Sequence, residues 1–197
     1  MHAYRVLEFQ LVLQQLAETC ETMLGAQKAL EMEPSYEPED VWKRVEATKQ
    51  ADELTATDSV PSLGPIRDVR DSVIRAAKGG TVDGETLYLV GQSLSAMRAM
   101  RTLLHQRRER CPLLWELGEL LPELPVVENK ILSSLDGGGE VKDSASPELA
   151  KLRKQKSQAA QRITERIQSY TSGKNRDLLS DPIYTQRDGR YVVPLKS

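Results

Sequence analysis

The sequence predicts a mostly α-helical protein with a helical body, a long coiled-coil-like arm and a C-terminal β-hairpin. Three observations carry that expectation. Apolar residues recur at three- and four-residue steps through the first two thirds of the 197-residue chain. Proline, glycine and capping residues punctuate those stretches at helical lengths. Only "PIYTQRDGRYVVPLK", residues 182–196, alternates in the manner of strands, around an Asp188-Gly189 turn signal.

Taken in order, "RVLEFQLVLQQLAETCETML" places Leu7, Leu11, Leu13, Leu16, Cys20 and Leu24 at mostly helical spacing. Pro34 and Pro38 interrupt, and Pro38 followed by Glu39 and Asp40 suits the first turn of a second helix. That helix carries Val41, Trp42, Val45 and Leu54 largely on one side. "TDSVPSLGP" (57–65) has loop composition. A helix with Ile66, Val69, Val73 and Ile74 follows, and Gly79-Gly80 ends it as a glycine in the C′ position does. A long helix is expected from Asp83 to about Glu109, with Leu87, Leu94, Met97 and Leu104 inward; Pro112, Pro122 and Pro125 cut the next stretch into short pieces.

Ser146-Pro147-Glu148 gives three independent helix-start signals: an N-cap hydroxyl, a proline at N1 and an acid in the first turn. The helix that follows sets Leu149, Leu152, Ala159, Ile163, Ile167 and Tyr170 on one narrow stripe, with Lys156 the one charge on it. Lys151, Lys154, Arg162 and Arg166 are assigned to the broad opposite face, among Gln155, Gln158 and Gln161. A stripe this narrow over about six turns suits an arm packed on one partner helix. Gly137-Gly138-Gly139 just upstream reads as a flexible joint.

The chain is mildly acidic overall, but its charge is divided. Residues 1–141 hold 15 basic against 23 acidic side chains, a net of −8, whereas residues 142–176 hold 9 against 3, a net of +6. Such asymmetry is a pointer to nucleic acid, although a cationic helix face also serves plain solvation. No apolar run reaches the ~20 residues of a membrane helix, and "MHAYRVLEFQ" lacks the basic-then-apolar order of a secretory signal. Cys20 and Cys111 read as unpaired thiols of a reducing compartment.

Catalytic chemistry is not legible. "SGKN" (172–175) lacks the first glycine and the hydroxyl of a phosphate loop, and "DGGGE" (136–140) lacks the ligand alternation of a calcium loop. His2 and His105 have no partners at the spacing of a metal site or a dyad, and His105 reads as a partly packed helical residue. Arg107, Arg108 and Arg110 are accounted for by a helix C-terminus. No residue is assigned as catalytic, cofactor-binding or metal-binding.

With these segments in view, the chain resembles the second MutS family of bacteria and chloroplasts, the MutS-two family. "RVLEF" (5–9), "AAKGG" (76–80), "GEVKDSASPELAKLR" (139–153) and "DPIYTQRDGRYVVPLK" (181–196) follow its pattern in order and approximate spacing. The resemblance implies the first half of a helical core or lever domain over 1–136, a Gly-rich linker and helix cap over 137–146, a basic arm over 147–176, and the start of a clamp over 177–197. It implies a chain that stops inside the clamp, with the ATPase domain, its ATP and magnesium, and a Smr-type endonuclease domain lying elsewhere in the protein. It implies a homodimer closing on nucleic acid, either branched DNA in recombination suppression or the ribosomal RNA of collided ribosomes, in the bacterial cytoplasm or chloroplast stroma, with no membrane partner. On that basis Lys151, Lys154, Arg187 and Arg190 are the expected contacts to a nucleic-acid backbone. The alternative from the residues themselves is a helical scaffold that takes a partner helix along the Leu149–Tyr170 stripe.

Overall fold

The computed structural model describes residues 6–172, 177–181, 183–188 and 190–196. The described residues form eight α-helices and one two-stranded antiparallel ribbon, in agreement with the expected fold class. They fall into two compact units, Met1–Lys142 and Asp143–Ser197.

Unit one contains α1 (Phe9–Glu18), α2 (Met23–Leu30), α3 (Pro38–Thr57), α4 (Arg70–Ala77), α5 (Gly84–Gln106), α6 (Pro112–Glu119) and α7 (Pro125–Ser134). The start signals act as expected: Thr22 and Asp83 accept hydrogen bonds from the amides of Gly25 and Thr86, and Pro38, Pro112 and Pro125 occupy first-turn positions. At the end of α4, Gly79 adopts φ +77°, its amide donates to Ala76 O and that of Gly80 to Arg75 O. That is the Schellman arrangement its sequence predicts. The expected start of α4 at Ile66 is four residues early, because the Ser93 hydroxyl accepts the Arg67 amide at 3.0 Å and holds that segment against α5 as a loop.

The spine of this unit is α5, which packs on both α6 and α7. Gly91 is where α7 comes closest, since a Cβ there would lie 2.8 Å from Ile131 Cγ2. Nearby, Arg98 grips the buried carboxylate of Glu128 through two hydrogen bonds of 2.7 and 2.8 Å. At the other end Leu54, Leu104 and Cys111 form a small core, with Trp115 and Met100 against it. Buried Gln50 on α3 accepts the Leu113 amide at 3.1 Å, tying α3 to α6. Asp58, just past α3, joins that helix to the end of α5. Its Oδ1 accepts from Arg107 Nε and Nη2 at 3.0 and 2.6 Å, and its Oδ2 from Arg110 at 2.7 Å. These arginines therefore hold a distant carboxylate, a role that the helix-end account of them did not foresee. Neither cysteine is paired, and His105 stacks edge-on against Trp115 at 5.1 Å.

Two expectations are revised. The α3 stripe is only partly inward: Leu54 is buried, whereas Trp42 is 72% exposed and Val45 also faces out. On α1, Leu13 is buried while Leu11 and Leu16 are exposed, as is Leu7 just before the helix. In both cases the described elements cover only part of the apolar face and leave the rest uncovered.

The expected joint at Gly137–Gly139 is a closed turn inside unit one. Leu135 bridges Val141, Asp136 Oδ1 accepts the amides of Gly138 and Glu140 at 2.9 Å, and Gly139 sits at φ +78°. The turn lies directly on the first residues of α5. A Cβ on Gly84 would run into the Gly139 carbonyl, and one on Gly139 into the Glu85 amide nitrogen. Lys142 then fixes the chain against α7, its ammonium donating to Leu132 O at 2.7 Å.

Two predictions follow from this packing. Gly139→Ala should lower stability by about 1–3 kcal/mol in urea unfolding, from left-handed backbone strain and backbone contact together. Gly138→Ala, whose Cβ would meet only Asp136 Oδ1 at 3.5 Å, should stay within about 0.5 kcal/mol of the parent. The second concerns Asp58. Its hydrogen bonds from Arg107, with those from Thr57 and Arg110, hold its carboxyl at about 2, below the ordinary 3.8. Stability from this group is therefore present above the unfolded value and is lost as pH falls through about 2. Asp58→Asn should flatten the acid limb of stability against pH between about 4 and 2, measured by circular dichroism.

Candidate nucleic-acid interface

Unit two opens with a 3-10 turn, Asp143–Ala145, and continues into α8 (Pro147–Thr171), a 25-residue helix about 37 Å long. All three start signals are realised. Ser146 is extended, its hydroxyl accepts the Leu149 amide, Pro147 is in the first turn and Glu148 follows it. Arg153 reaches back to Asp143 at 2.5 Å and fixes the turn to the helix. The arm expected over 147–176 thus ends as a helix at Thr171, and residues 173–176 lie outside the described residues.

The ribbon pairs β1 (Thr185–Arg187) with β2 (Arg190–Val192) in the register Thr185↔Val192, Gln186↔Tyr191 and Arg187↔Arg190. Asp188 at the turn has φ +49°, the left-handed conformation a two-residue hairpin turn requires; Gly189 lies outside the described residues. Below the strands Leu179 bridges Leu195 and is buried, which extends the pairing past Pro194.

Strand alternation separates the ribbon's two faces. Successive pairs point to opposite sides, so Gln186 and Tyr191 share one face while Arg187 and Arg190 share the other. Tyr191 contacts Tyr184 edge-on at 5.9 Å and lines an open cleft of ≈ 520 Å³ with Ala159, Ile163 and Ile167 of α8. Arg162 and Arg166 line the same cleft. These two arginines flank the apolar stripe, whereas helical spacing alone had assigned them to the opposite face. The correction follows from the wheel itself: Arg166 is one residue from Ile167 and three from Ile163, close enough for its stem to lie along the seam.

The four expected contact residues form two pairs. Lys151 and Lys154 are exposed on the far face of α8 near its start. Arg187 and Arg190 are exposed and directly opposed across the ribbon, on the face away from Tyr191. None of the four makes an ion pair with a described residue. Like charges directly opposed on a ribbon repel one another. Counted over the two units, Met1–Lys142 carries 16 basic against 23 acidic residues and Asp143–Ser197 carries 11 against 6, a net of −7 against +5.

The apolar stripe is open. No residue of α8 is buried, and Leu152 and Ile163 are 55% and 45% exposed. Among the described residues no group of three His, Cys, Asp or Glu side chains could hold a metal ion, and no helix is long and apolar enough to cross a membrane.

No family model matches the chain. Individual relatives do, along its whole length. The Endonuclease MutS2 of Pelotomaculum thermopropionicum is 35% identical over 195 residues, covering 98% of this chain and 25% of that protein. That of Symbiobacterium thermophilum is 33% identical over 192 residues, 98% of this chain and 24% of the relative. That of Geobacillus thermodenitrificans is 35% identical over 196 residues, again 98% and 25%. The chain belongs to the MutS2 family. It spans about a quarter of the length of these MutS2 relatives, the N-terminal quarter. The MutS2 match includes both the Ser146-Pro147 helix start and the Arg187/Arg190 ribbon, the two segments on which the cationic unit is built.

Open exposure of the seam has a measurable consequence. In hydrogen exchange, the amides of α8 beyond its first turn should be the least protected of any long helix, with α5 the most protected. Protection of α8 equal to that of α5 would mean that the seam is covered in solution.

Proposed function

We propose that this chain is a non-catalytic lever-and-clamp portion of a MutS2-type protein, and that its second unit holds a nucleic-acid backbone. The observation that carries this reading is the opposed Arg187/Arg190 pair, unneutralised by described acids and set in a unit of net +5. Phosphates supply the charge the pair lacks, and backbone contacts of this kind position a polyanion without reading its sequence. Lys151 and Lys154 extend the contact along the far face of α8. In the whole protein, ATP and magnesium would be bound by the remaining three quarters, which would also carry the endonuclease activity named in the relatives. Its targets would be branched DNA or the ribosomal RNA of collided ribosomes, gripped by a homodimer in the cytoplasm or chloroplast stroma. A second reading, a scaffold that takes a partner helix along the Leu149–Tyr170 seam, is favoured by the exposure of that seam. The two are compatible, since seam and lysines occupy different faces of α8.

The test is a variant with Lys151, Lys154, Arg187 and Arg190 all changed to Gln. Binding to duplex, branched DNA and ribosomal RNA fragments should weaken across unrelated sequences. The slope of log affinity against log salt on duplex DNA should flatten by roughly 0.9 for each contact removed. Unchanged affinity and slope would return these side chains to plain solvation, and a change in base preference alone would contradict backbone contact.

A further inference from the structure

The chain carries three Asp-Gly pairs, Asp83-Gly84, Asp136-Gly137 and Asp188-Gly189. We infer that the third is a self-modification site. Asp188 isomerises to isoaspartate in the folded chain while Asp83 and Asp136 are protected, and the change unpairs Arg187 from Arg190. The inference goes beyond the nucleic-acid reading and does not rest on it.

The reaction needs only an aspartate followed by an unhindered amide. The amide nitrogen of the next residue attacks the aspartate Cγ and forms a C–N bond, and the carboxyl hydroxyl leaves as water with the amide proton. A second water then reopens the resulting succinimide ring. Opening at the side-chain carbonyl restores aspartate. Opening at the main-chain carbonyl leaves the chain running through Cβ and Cγ, which is isoaspartate. One water is lost and one regained, so no oxidant, reductant or cofactor is consumed. Glycine, without a Cβ, offers the least hindered nitrogen, so sequence alone gives all three pairs the same susceptibility.

Their surroundings separate them. Asp83 caps α5: its Oδ1 accepts the Thr86 amide at 2.8 Å and its Oδ2 the Thr86 hydroxyl at 2.9 Å. Asp136 Oδ1 accepts the amides of Gly138 and Glu140, both at 2.9 Å. Each of these carboxylates must give up two hydrogen bonds before it can turn onto the nitrogen that follows it. Asp188 is held by nothing comparable. It is exposed at the ribbon tip, and no hydrogen bond or ion pair from a described residue reaches its carboxylate. Its position also gives the reaction a structural consequence. The register Arg187↔Arg190 is set by a two-residue turn, and Asp188 supplies half of that turn at φ +49°. Isoaspartate adds a methylene to the main chain there, so the two arginines lose their direct opposition.

The experiment ages the 197-residue chain for several weeks near neutral pH, folded and in urea. Isoaspartate is then located by proteolytic mapping and by methyl transfer from S-adenosylmethionine with an isoaspartyl methyltransferase. In the folded chain Asp188 should accumulate at least roughly tenfold more isoaspartate than Asp83 or Asp136, which must first lose their hydrogen bonds. In urea the three should converge. Asp188→Asn, which keeps a favoured turn residue, should pass through the same ring with loss of ammonia and convert faster. Asp188→Glu should be inert, because its ring would be larger and slower to close. In the isomerised fraction, the cross-strand nuclear Overhauser contacts between Gln186 and Tyr191 should be lost. Equal accumulation at the three sites in the folded chain would overturn the inference. So would an unreacted Asp188 in folded chain that isomerises in urea, or an isomerised ribbon that keeps its cross-strand contacts. These readouts are made without nucleic acid, so they stand or fall apart from the role of Arg187 and Arg190 in binding it.

Discussion

Unit one depends on how closely other segments approach one side of α5. Gly84 and Gly91 are seven residues apart and so lie on the same helix face. The first receives the Gly139 carbonyl and the second the side chains of Ile131 and Leu132. No side chain could stand at the first contact without displacing backbone. Because the 135–141 turn must sit on the start of α5, α7 is brought alongside, and Arg98 comes within reach of Glu128. The glycine run that would make a flexible joint in an isolated peptide is thereby held against α5 through Gly139.

Polar contacts then do much of the fixing that a larger apolar core would do elsewhere. Buried hydrophobic residues are few, and the core of Leu54, Leu104 and Cys111 is small. Around it, Gln50, Ser93, Asp58 and Glu128 each join segments distant in sequence, and no buried side-chain nitrogen or oxygen among the described residues lacks a partner. Such networks specify one arrangement because leaving any member unpaired is costly. They also account for the direction in which the acids move. Asp58 and Glu128 are held below the usual carboxylate range by the arginines they accept from, so they serve as anchors and have no tendency to act as proton donors near neutral pH.

Unit two is organised on a different principle. Its long helix is stabilised locally, by the Ser146 cap, Pro147 and the Arg153–Asp143 pair, and keeps its apolar line outward. Charge is segregated onto distinct faces: Lys151 and Lys154 opposite the seam, Arg162 and Arg166 along it, Arg187 and Arg190 on the ribbon. The chain spans a quarter of the length of its MutS2 relatives, and no residue of α8 is buried.

The sequence alone determined the class of the fold, the start of α8 to the residue, the glycine end of α4 and the site of the hairpin turn. Each rests on contacts within a few residues, where capping, proline geometry and left-handed φ act without help from the rest of the chain. It also carried the division of charge and the motifs of the MutS2 family. Tertiary structure decided what depends on residues far apart: that Arg107 and Arg110 share Asp58, that Gly139 meets Gly84, that Trp42 stays outward while Leu54 goes in. It likewise separated the four candidate cations into two pairs and moved Arg162 and Arg166 to the edge of the seam. Periodicity says which residues share a face, but only the placement of a second element, here Tyr191, says which edge of that face is lined and by what.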